Sequence, residues 1–260
     1  MIKMIVSDLD GTLLQNGSQA LEKETIPLIK SLLDKGIYFV SASGRQYYNQ
    51  KKLYHDLWNR IIFICENGAL TVENDKVIHE IAMNQEIARA IAKDILDCDG
   101  CEVTINAHNT AYLMPKKEDI VHHMRDIVGY HVTIIKDLNE ITEDILKLAV
   151  YDPKGIHNSE AYFTGKWSNQ VKTAVSGLEW LDFTDVSANK GNALKALQKR
   201  LHILPEETMV FGDNYNDIEM LSCAKYSYAM KHANSDIKAR ANFETDRVER
   251  ILEKLQNTME

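Results

Sequence analysis

Asp8-Leu9-Asp10-Gly11-Thr12-Leu13 follows directly on the apolar run Met4-Ile5-Val6. The run reads as a buried strand, and the hexapeptide places two carboxylates at its carboxyl end, with Gly11 letting the chain turn away. In an open α/β sheet that edge is where ligands bind. Asp, Gly and Thr are also ordinary turn and cap residues, so the stretch alone is equally compatible with a strand-ending turn.

Working outward, the same pattern recurs. Leu28, Ile29, Leu32 and Leu33 fall at helical spacing, with Pro27 tolerable in a first turn and Gly36 as a stop. Ile37-Tyr38-Phe39-Val40 reads as a second strand, ending in Ser41-Ala42-Ser43-Gly44-Arg45. Ile61-Ile62-Phe63-Ile64-Cys65 reads as a third, ending in Glu66-Asn67-Gly68-Ala69. Short apolar runs that each close on small or polar residues predict a parallel sheet with a site at its carboxyl edge.

From about Met83 to Asp182 the texture changes. Ile87, Ile91, Ile95 and Leu96 mark an amphipathic helix, and short alternating runs follow, such as Cys101–Ile105, Thr110–Met114 and Leu146–Val150. This predicts an inserted α+β unit. The strand–helix rhythm then returns. Lys190-Gly191 opens a helix carrying Ala193, Leu194, Leu197 and Leu201, and Thr208-Met209-Val210-Phe211 leads into Gly212-Asp213-Asn214-Tyr215-Asn216-Asp217. Tyr226–Met230 is a further strand, and Val248, Ile251, Leu252 and Leu255 mark a closing helix. The expected fold is therefore α/β: a Rossmann-like parallel-sheet core over residues 1–82 and 183–260, with an α+β cap at 83–182 between the two pieces. Hinges are expected near Ile81-Ala82-Met83 and Leu181-Asp182-Phe183.

The bulk numbers narrow the function classes. The 260 residues carry a formal net charge of −8, which argues against nucleic acid or an anionic membrane as partner. No stretch reaches the roughly 20 apolar residues needed to span a bilayer. The acidic motif arrives within ten residues of the start, leaving no room for a leader. Cys98-Asp99-Gly100-Cys101 has CxxC spacing, but neither a second pair nor a histidine cluster accompanies it. A reduced, cytoplasmic protein is the expectation, and a monomer is compatible with it.

Four chemical points line up at strand ends or helix starts: Asp8/Asp10, Ser43-Gly44, Lys190, and Asp213 to Asp217. A parallel sheet would bring them to one edge. Carboxylates gathered there repel, by roughly 4 kcal/mol for a pair about 4 Å apart at an effective dielectric near 20. A hard divalent cation removes that cost, and all-oxygen ligands favour Mg2+ over zinc or copper. A hydroxyl, a glycine amide and a lysine beside it would hold a tetrahedral dianion. Anion clamp, metal and carboxylate nucleophile together describe phosphoryl transfer through an aspartyl-phosphate.

These segments resemble, in order, the four motifs of haloacid dehalogenase-like hydrolases: Asp8–Leu13, Ser43-Gly44-Arg45, Lys190-Gly191 and Gly212–Asp217. The Asn67-Gly68-Ala69 turn and the large insertion are similar to the Cof-type sugar-phosphatase subfamily. The resemblance implies that Asp8 is the nucleophile and a metal ligand. It implies that Asp10 ligates through its backbone carbonyl, protonates the leaving oxygen and then deprotonates water. It makes Leu9, Ser43, Gly44, Lys190 and Asn216 phosphate-binding, Asp213 the second side-chain ligand, and Asp217 a holder of metal-bound water. Lys190 would also neutralise charge on Asp8. The implied cap closes over the core and supplies substrate contacts; His108, Tyr112, Lys147 and Trp180 are suited to that, or to packing inside the cap. Thr12 reads as a turn or capping residue, and Arg45 as either a substrate contact or the partner of an acid.

The implied activity is Mg2+-dependent hydrolysis of a small phosphorylated metabolite such as a sugar phosphate. The alternatives are a phosphomutase of similar architecture and a phosphate-ligand sensor without turnover. An ordinary aspartic acid is too strong to donate protons at neutral pH, so Asp10 is expected in a partly buried pocket. The chain departs from the subfamily at Lys231-His232-Ala233, where Gly-Asn-Ala is usual. The segment Thr245–Val248 is also shorter than the usual loop before the last helix.

Overall fold

A computed structural model describes residues 1–258. The apolar runs of the first third form β1 (Met4–Ser7), β2 (Tyr38–Ala42) and β3 (Ile61–Cys65). β1 and β3 are buried along their whole length, as strands covered on both faces must be. A hairpin of β4 (Leu70–Glu73) and β5 (Lys76–Glu80) follows. The middle of the chain contributes β6 (Glu102–Asn106), β7 (Ala111–Leu113), β8 (Val132–Ile134), β9 (Lys147–Tyr151), β10 (Lys172–Gly177) and β11 (Trp180–Thr184). The last part adds β12 (Thr208–Gly212), β13 (Tyr226–Met230) and β14 (Phe243–Thr245).

Two compact units result, Met1–Glu80 with Asn189–Glu260, and Ile81–Ala188. The first holds an eight-stranded sheet in the order β14-β13-β12-β1-β2-β3-β4-β5. Its six strands from β14 to β3 are parallel, and the β4–β5 hairpin is antiparallel. β1 lies between β2 and β12, so the strand order reverses at β1, the switch point where such sheets bind ligands. Register carries this to the residue: Ser7 pairs with Ser41 on one side and with Phe211 on the other. Asp8, Ser43 and Asp213 therefore leave the sheet at nearly one level.

The helix Lys190–Leu201 buries Ala193, Leu194 and Leu197 against Val6, Val40, Ile62 and Val210 of the sheet. Its N-cap is Asn189, whose side chain accepts from the Asn192 amide at 2.8 Å, satisfying one of the orphan donors of the first turn. This cap places Lys190 at the helix start, facing the carboxyl edge.

The second unit holds a six-stranded sheet in the order β10-β11-β9-β6-β7-β8. It is antiparallel except for the β7–β8 pair. Alternate residues of its strands, among them Val103, Ile105, Leu148, Val150 and Phe183, pack with Ile91 and Ile95 of the helix Gln85–Asp97 and Phe163 of the helix Glu160–Trp167. Leu181-Asp182-Phe183, read from sequence as a hinge, is instead the middle of β11 and is paired on both sides. Its apolar–polar alternation is a strand signal, and it pairs with the neighbouring β10 on one side and the more distant β9 on the other. Among the described residues no helix is long and apolar enough to cross a membrane.

Candidate active site

β1 ends at Ser7, and the Asp8 amide still donates to the Phe211 carbonyl at 3.0 Å, so Asp8 is held at the sheet edge by backbone. Immediately after it the chain makes a tight turn. Thr12 and Leu14 amides both donate to the Leu9 carbonyl, at 3.1 and 2.7 Å, and the Gly11 amide donates to Leu14 at 2.9 Å. Gly11 sits at φ +89°, and a Cβ there would stand 2.1 Å from Asp213 Oδ2. No other residue satisfies both the left-handed backbone and that close approach.

Asp8 is 4% exposed and Lys190 is fully buried. Lys190 Nζ donates to Asp8 Oδ1 at 2.6 Å and to Asp217 Oδ1 at 2.7 Å. Burial alone would strip the proton from Lys190, but the charges of Asp217 and Asp8 outweigh it and hold the amine firmly protonated. Burial drives the Asp8 carboxyl well above the ordinary aspartate range; Lys190 opposes this, and Asp217 and Asp213 add to it.

Asp217 has no spare oxygen. Its Oδ2 accepts from the amides of Asp213 and Asn214 at 3.0 and 3.1 Å, while Oδ1 accepts from Lys190. It therefore shapes the Gly212–Asp217 loop and anchors the lysine. Asp213, in contrast, is only lightly held. Thr12 Oγ1 donates to its Oδ1 at 3.2 Å, and His232 Nε2 lies 3.3 Å from its Oδ2. Burial, then the Asp217 charge, raises the Asp213 carboxyl, with His232 and Thr12 opposing.

The donor set fits a hard divalent cation. Carboxylate oxygens of Asp8, Asp213 and Asp217 come within 4.8 Å of one another, with one buried lysine to offset three acids. Asp8 Oδ2 is buried without a hydrogen-bond partner among the described residues, which is costly for an anionic oxygen unless a cation completes it. With Asp217 already accepting three hydrogen bonds, the Asp8 and Asp213 carboxylates are the side chains left to ligate.

Asp10 stands apart from this cluster. The buried pocket expected for it is absent: its side chain is 53% exposed, because the turn after Leu9 swings it outward. Arg45 grips it in a bidentate pair, Nε to Oδ2 at 2.9 Å and Nη2 to Oδ1 at 2.5 Å. Arg45 is itself braced by Asn49 Oδ1 at 3.1 Å and Gln19 Oε1 at 3.2 Å. Of the two roles the sequence leaves open for Arg45, the acid partner is the one present here.

The second strand end contributes Ser43, buried, whose Oγ accepts from the Arg45 amide at 3.1 Å. That leaves the hydroxyl proton to donate elsewhere. The Ser43 carbonyl accepts from the Asn67 amide at 3.1 Å. Asn67, at φ +55°, takes the Nδ2 of Asn216 on its Oδ1 at 2.9 Å, and a Cβ on Gly44 would lie 3.0 Å from that same oxygen. Asn216 thus meets Ser43-Gly44 through Asn67, a link that spacing along the chain does not reveal. Leu9 is fully buried and shapes the turn through its carbonyl.

Three residues of this edge carry more than the sequence suggests. Thr12 donates to an acid of the cluster instead of capping a helix. Arg45 orients Asp10. His232, in the Lys231-His232 departure, reaches Asp213; the signal was its position just past β13, another strand ending on the same edge. In the second unit, Tyr112 lies in the apolar core with its hydroxyl on Glu143 at 2.8 Å. Trp180 packs against Tyr151 in a tilted pair, 4.6 Å between ring centroids. Both therefore have packing roles. Lys147 is buried 3.5 Å from Asp182.

A family model for haloacid dehalogenase-like hydrolases matches residues 5–250. The chain is 26% identical over 243 residues to 5-amino-6-(5-phospho-D-ribitylamino)uracil phosphatase YbjI of Escherichia coli, covering 93% of this chain and 90% of that one. It is 25% identical over 245 residues to the phosphatase of the same description, YcsE, of Bacillus subtilis, covering 94% and 90%. A crystal structure of a protein from Eubacterium rectale shares the fold with a TM-score of 0.88 and 28% identity, covering 100% of this chain and 99% of that one.

Proposed function

The chain belongs to the haloacid dehalogenase-like hydrolases, and on that premise we propose that it is a Mg2+-dependent phosphatase of small phosphate monoesters, with Asp8 as nucleophile. The observation that carries this is the state of Asp8: one oxygen is pinned by Lys190, and the other is buried and unpartnered at the switch point of the sheet. A carboxylate so held keeps its bare oxygen aimed at an approaching phosphorus atom.

In the proposed reaction Asp8 Oδ2 attacks phosphorus and the ester P–O bond breaks. Asp10 gives its proton to the leaving oxygen, and the phosphoryl group rests on Asp8 as an acyl phosphate. Asp10, now a carboxylate, takes a proton from water as that water attacks phosphorus. The P–O bond to Asp8 breaks, releasing inorganic phosphate and restoring both acids. Lys190 holds Asp8 throughout and offsets charge at the phosphoryl group. The Ser43 hydroxyl, with the Leu9 and Gly44 amides and Asn216, would bind phosphoryl oxygens. Asp8, Asp213 and the Asp10 carbonyl would hold Mg2+, which supplies charge neutralisation at Asp8 and the phosphate.

The Arg45 pair bears on the proton steps. While both oxygens of Asp10 accept from Arg45, neither can carry a proton to a leaving group. We propose that Asp10 leaves this bidentate pair once per cycle and that Arg45 returns it to one orientation. The second unit, as the cap, is proposed to select the substrate, with Lys147 and His108 as its polar candidates. The names of the two bacterial relatives suggest a phosphorylated sugar-alcohol joined to a pyrimidine as a member of the substrate class.

The test is a panel of phosphorylated metabolites, that compound included, assayed with Mg2+ for the wild type and Asp8→Asn. Hydrolysis that survives Asp8→Asn would remove the nucleophile assignment. Running the reaction in 18O-labelled water separates hydrolysis, which labels the released phosphate, from transfer to a second sugar.

A further inference from the structure

On the core unit, away from the carboxyl-edge acids, the β4–β5 hairpin and the helix Lys190–Leu201 enclose a pocket of about 170 Å³. The apolar part of its lining comes from Ala193, Ala196 and Leu197 of the helix and Ile78 of β5. Three polar groups converge on it: Thr71, His79 and Arg200. Thr71 is 1% exposed, and its Oγ1 has no hydrogen-bond partner among the described residues. A buried hydroxyl left in that state forfeits its hydration with nothing in exchange.

The backbone is shaped around this spot. Thr71 pairs with His79, but Val72 pairs with Val77, so Ile78 is an extra residue in the edge strand. A bulge of this kind re-aims side chains, and here Ile78 and His79 both line the pocket. Arg200, at the open side, has no ion-pair partner among the described residues, in a protein with net charge −8. An unpaired guanidinium beside a pocket with an apolar side is suited to a carboxylate carried on an apolar body. An apolar cavity of about 150 Å³ accepts a benzene-sized molecule, so the volume matches a single ring or a short branched chain.

We infer that this pocket binds a small carboxylate with an apolar body: the body lies between Ala196 and Ile78, and the carboxylate meets Arg200 and His79. The ligand would press on Ala193, one helical turn beyond Lys190. This gives the helix that carries the catalytic lysine a second point of control. The inference does not depend on which phosphate ester is hydrolysed, or on turnover at all.

Benzoate is the probe, with benzyl alcohol as its neutral counterpart and inorganic phosphate as an anion without the apolar body. Binding to the full chain is measured by calorimetry and by ligand-observed NMR. The expected result is saturable 1:1 binding of benzoate that weakens at least about tenfold in Arg200→Gln and for benzyl alcohol, the loss of one charge-assisted hydrogen bond. Ala196→Phe, which fills the cavity, should abolish it, and phosphate should not displace it. Arg200→Gln alters an exposed side chain, so it reports even if a core variant misfolds. Absence of saturable benzoate binding, equal binding of benzyl alcohol, displacement by phosphate, or undiminished affinity in Arg200→Gln would each overturn the inference.

Discussion

Replacing Lys190 with Met removes the single cation from a buried group of three charges and leaves its packing volume nearly intact. In the wild type, Nζ lies 2.6 Å from Asp8 and 2.7 Å from Asp217. At an effective dielectric near 20, each such pair is worth roughly 6 kcal/mol of gross attraction. Most of that sum offsets the desolvation of three ions, so the gross figure overstates the loss. Removing one partner of a buried pair costs about 3–5 kcal/mol, because the remaining charges are left uncompensated. Asp217 keeps its two amide donors, so Asp8 bears most of the penalty. Its escape is protonation, which costs about 1.4 kcal/mol for each unit by which pH exceeds its pKa. Lys190→Met should therefore lose about 3–5 kcal/mol in urea unfolding at pH 7.5 with EDTA, and regain much of it as pH falls toward 5. Asp217→Asn in the same background should restore part of the loss at neutral pH. If Lys190→Met unfolds within about 1 kcal/mol of wild type at pH 7.5, the lysine is not the charge that makes this cluster tolerable. The electrostatic account of the site would then fail.

Asp8→Asn should be more stable than wild type in EDTA at pH 7.5. A carboxyl raised on folding binds protons more tightly in the native state, so it costs stability increasingly as pH rises above the ordinary value of 3.8. The difference should close as pH is lowered toward 4, and a constant difference would contradict the assigned cause. Mg2+ at about a hundred times its Kd should stabilise the wild type by about 2.7 kcal/mol in calorimetric scans; Asp213→Asn should abolish that gain, and an unchanged gain would remove Asp213 from the ligand set. Asp10→Asn should lower kcat by about 10²–10⁴ while preserving the Mg2+-induced stabilisation, since the proposed contact to metal is its backbone carbonyl. Gly11→Ala should destabilise the protein even without metal, measured by the same unfolding assay, because its Cβ would meet Asp213 at 2.1 Å.

Much of the core's arrangement is legible along the chain. Met4-Ile5-Val6, Ile61–Cys65 and Met209-Val210-Phe211 are apolar at every position because both faces are covered, and each closes on the residues that form the site. Local chemistry was enough there, since a parallel sheet delivers every strand end to one edge whatever the sequence separation. The partly buried pocket expected for Asp10 failed for a non-local reason: the orientation of its side chain depends on a turn whose Gly11 is chosen by Asp213, about 200 residues away in the chain.

By itself, then, the sequence determined which residues arrive at the carboxyl edge, because apolar periodicity sets strand and helix and the parallel order does the rest. Only the tertiary structure decided how they divide the work. It saturated Asp217 with two amides and a lysine, left one oxygen of Asp8 bare, turned Asp10 outward onto Arg45, and brought His232 and Thr12 to Asp213. Those are contacts between strand ends that share no local sequence, and their geometry follows from register and burial, quantities that exist only once the sheet is assembled.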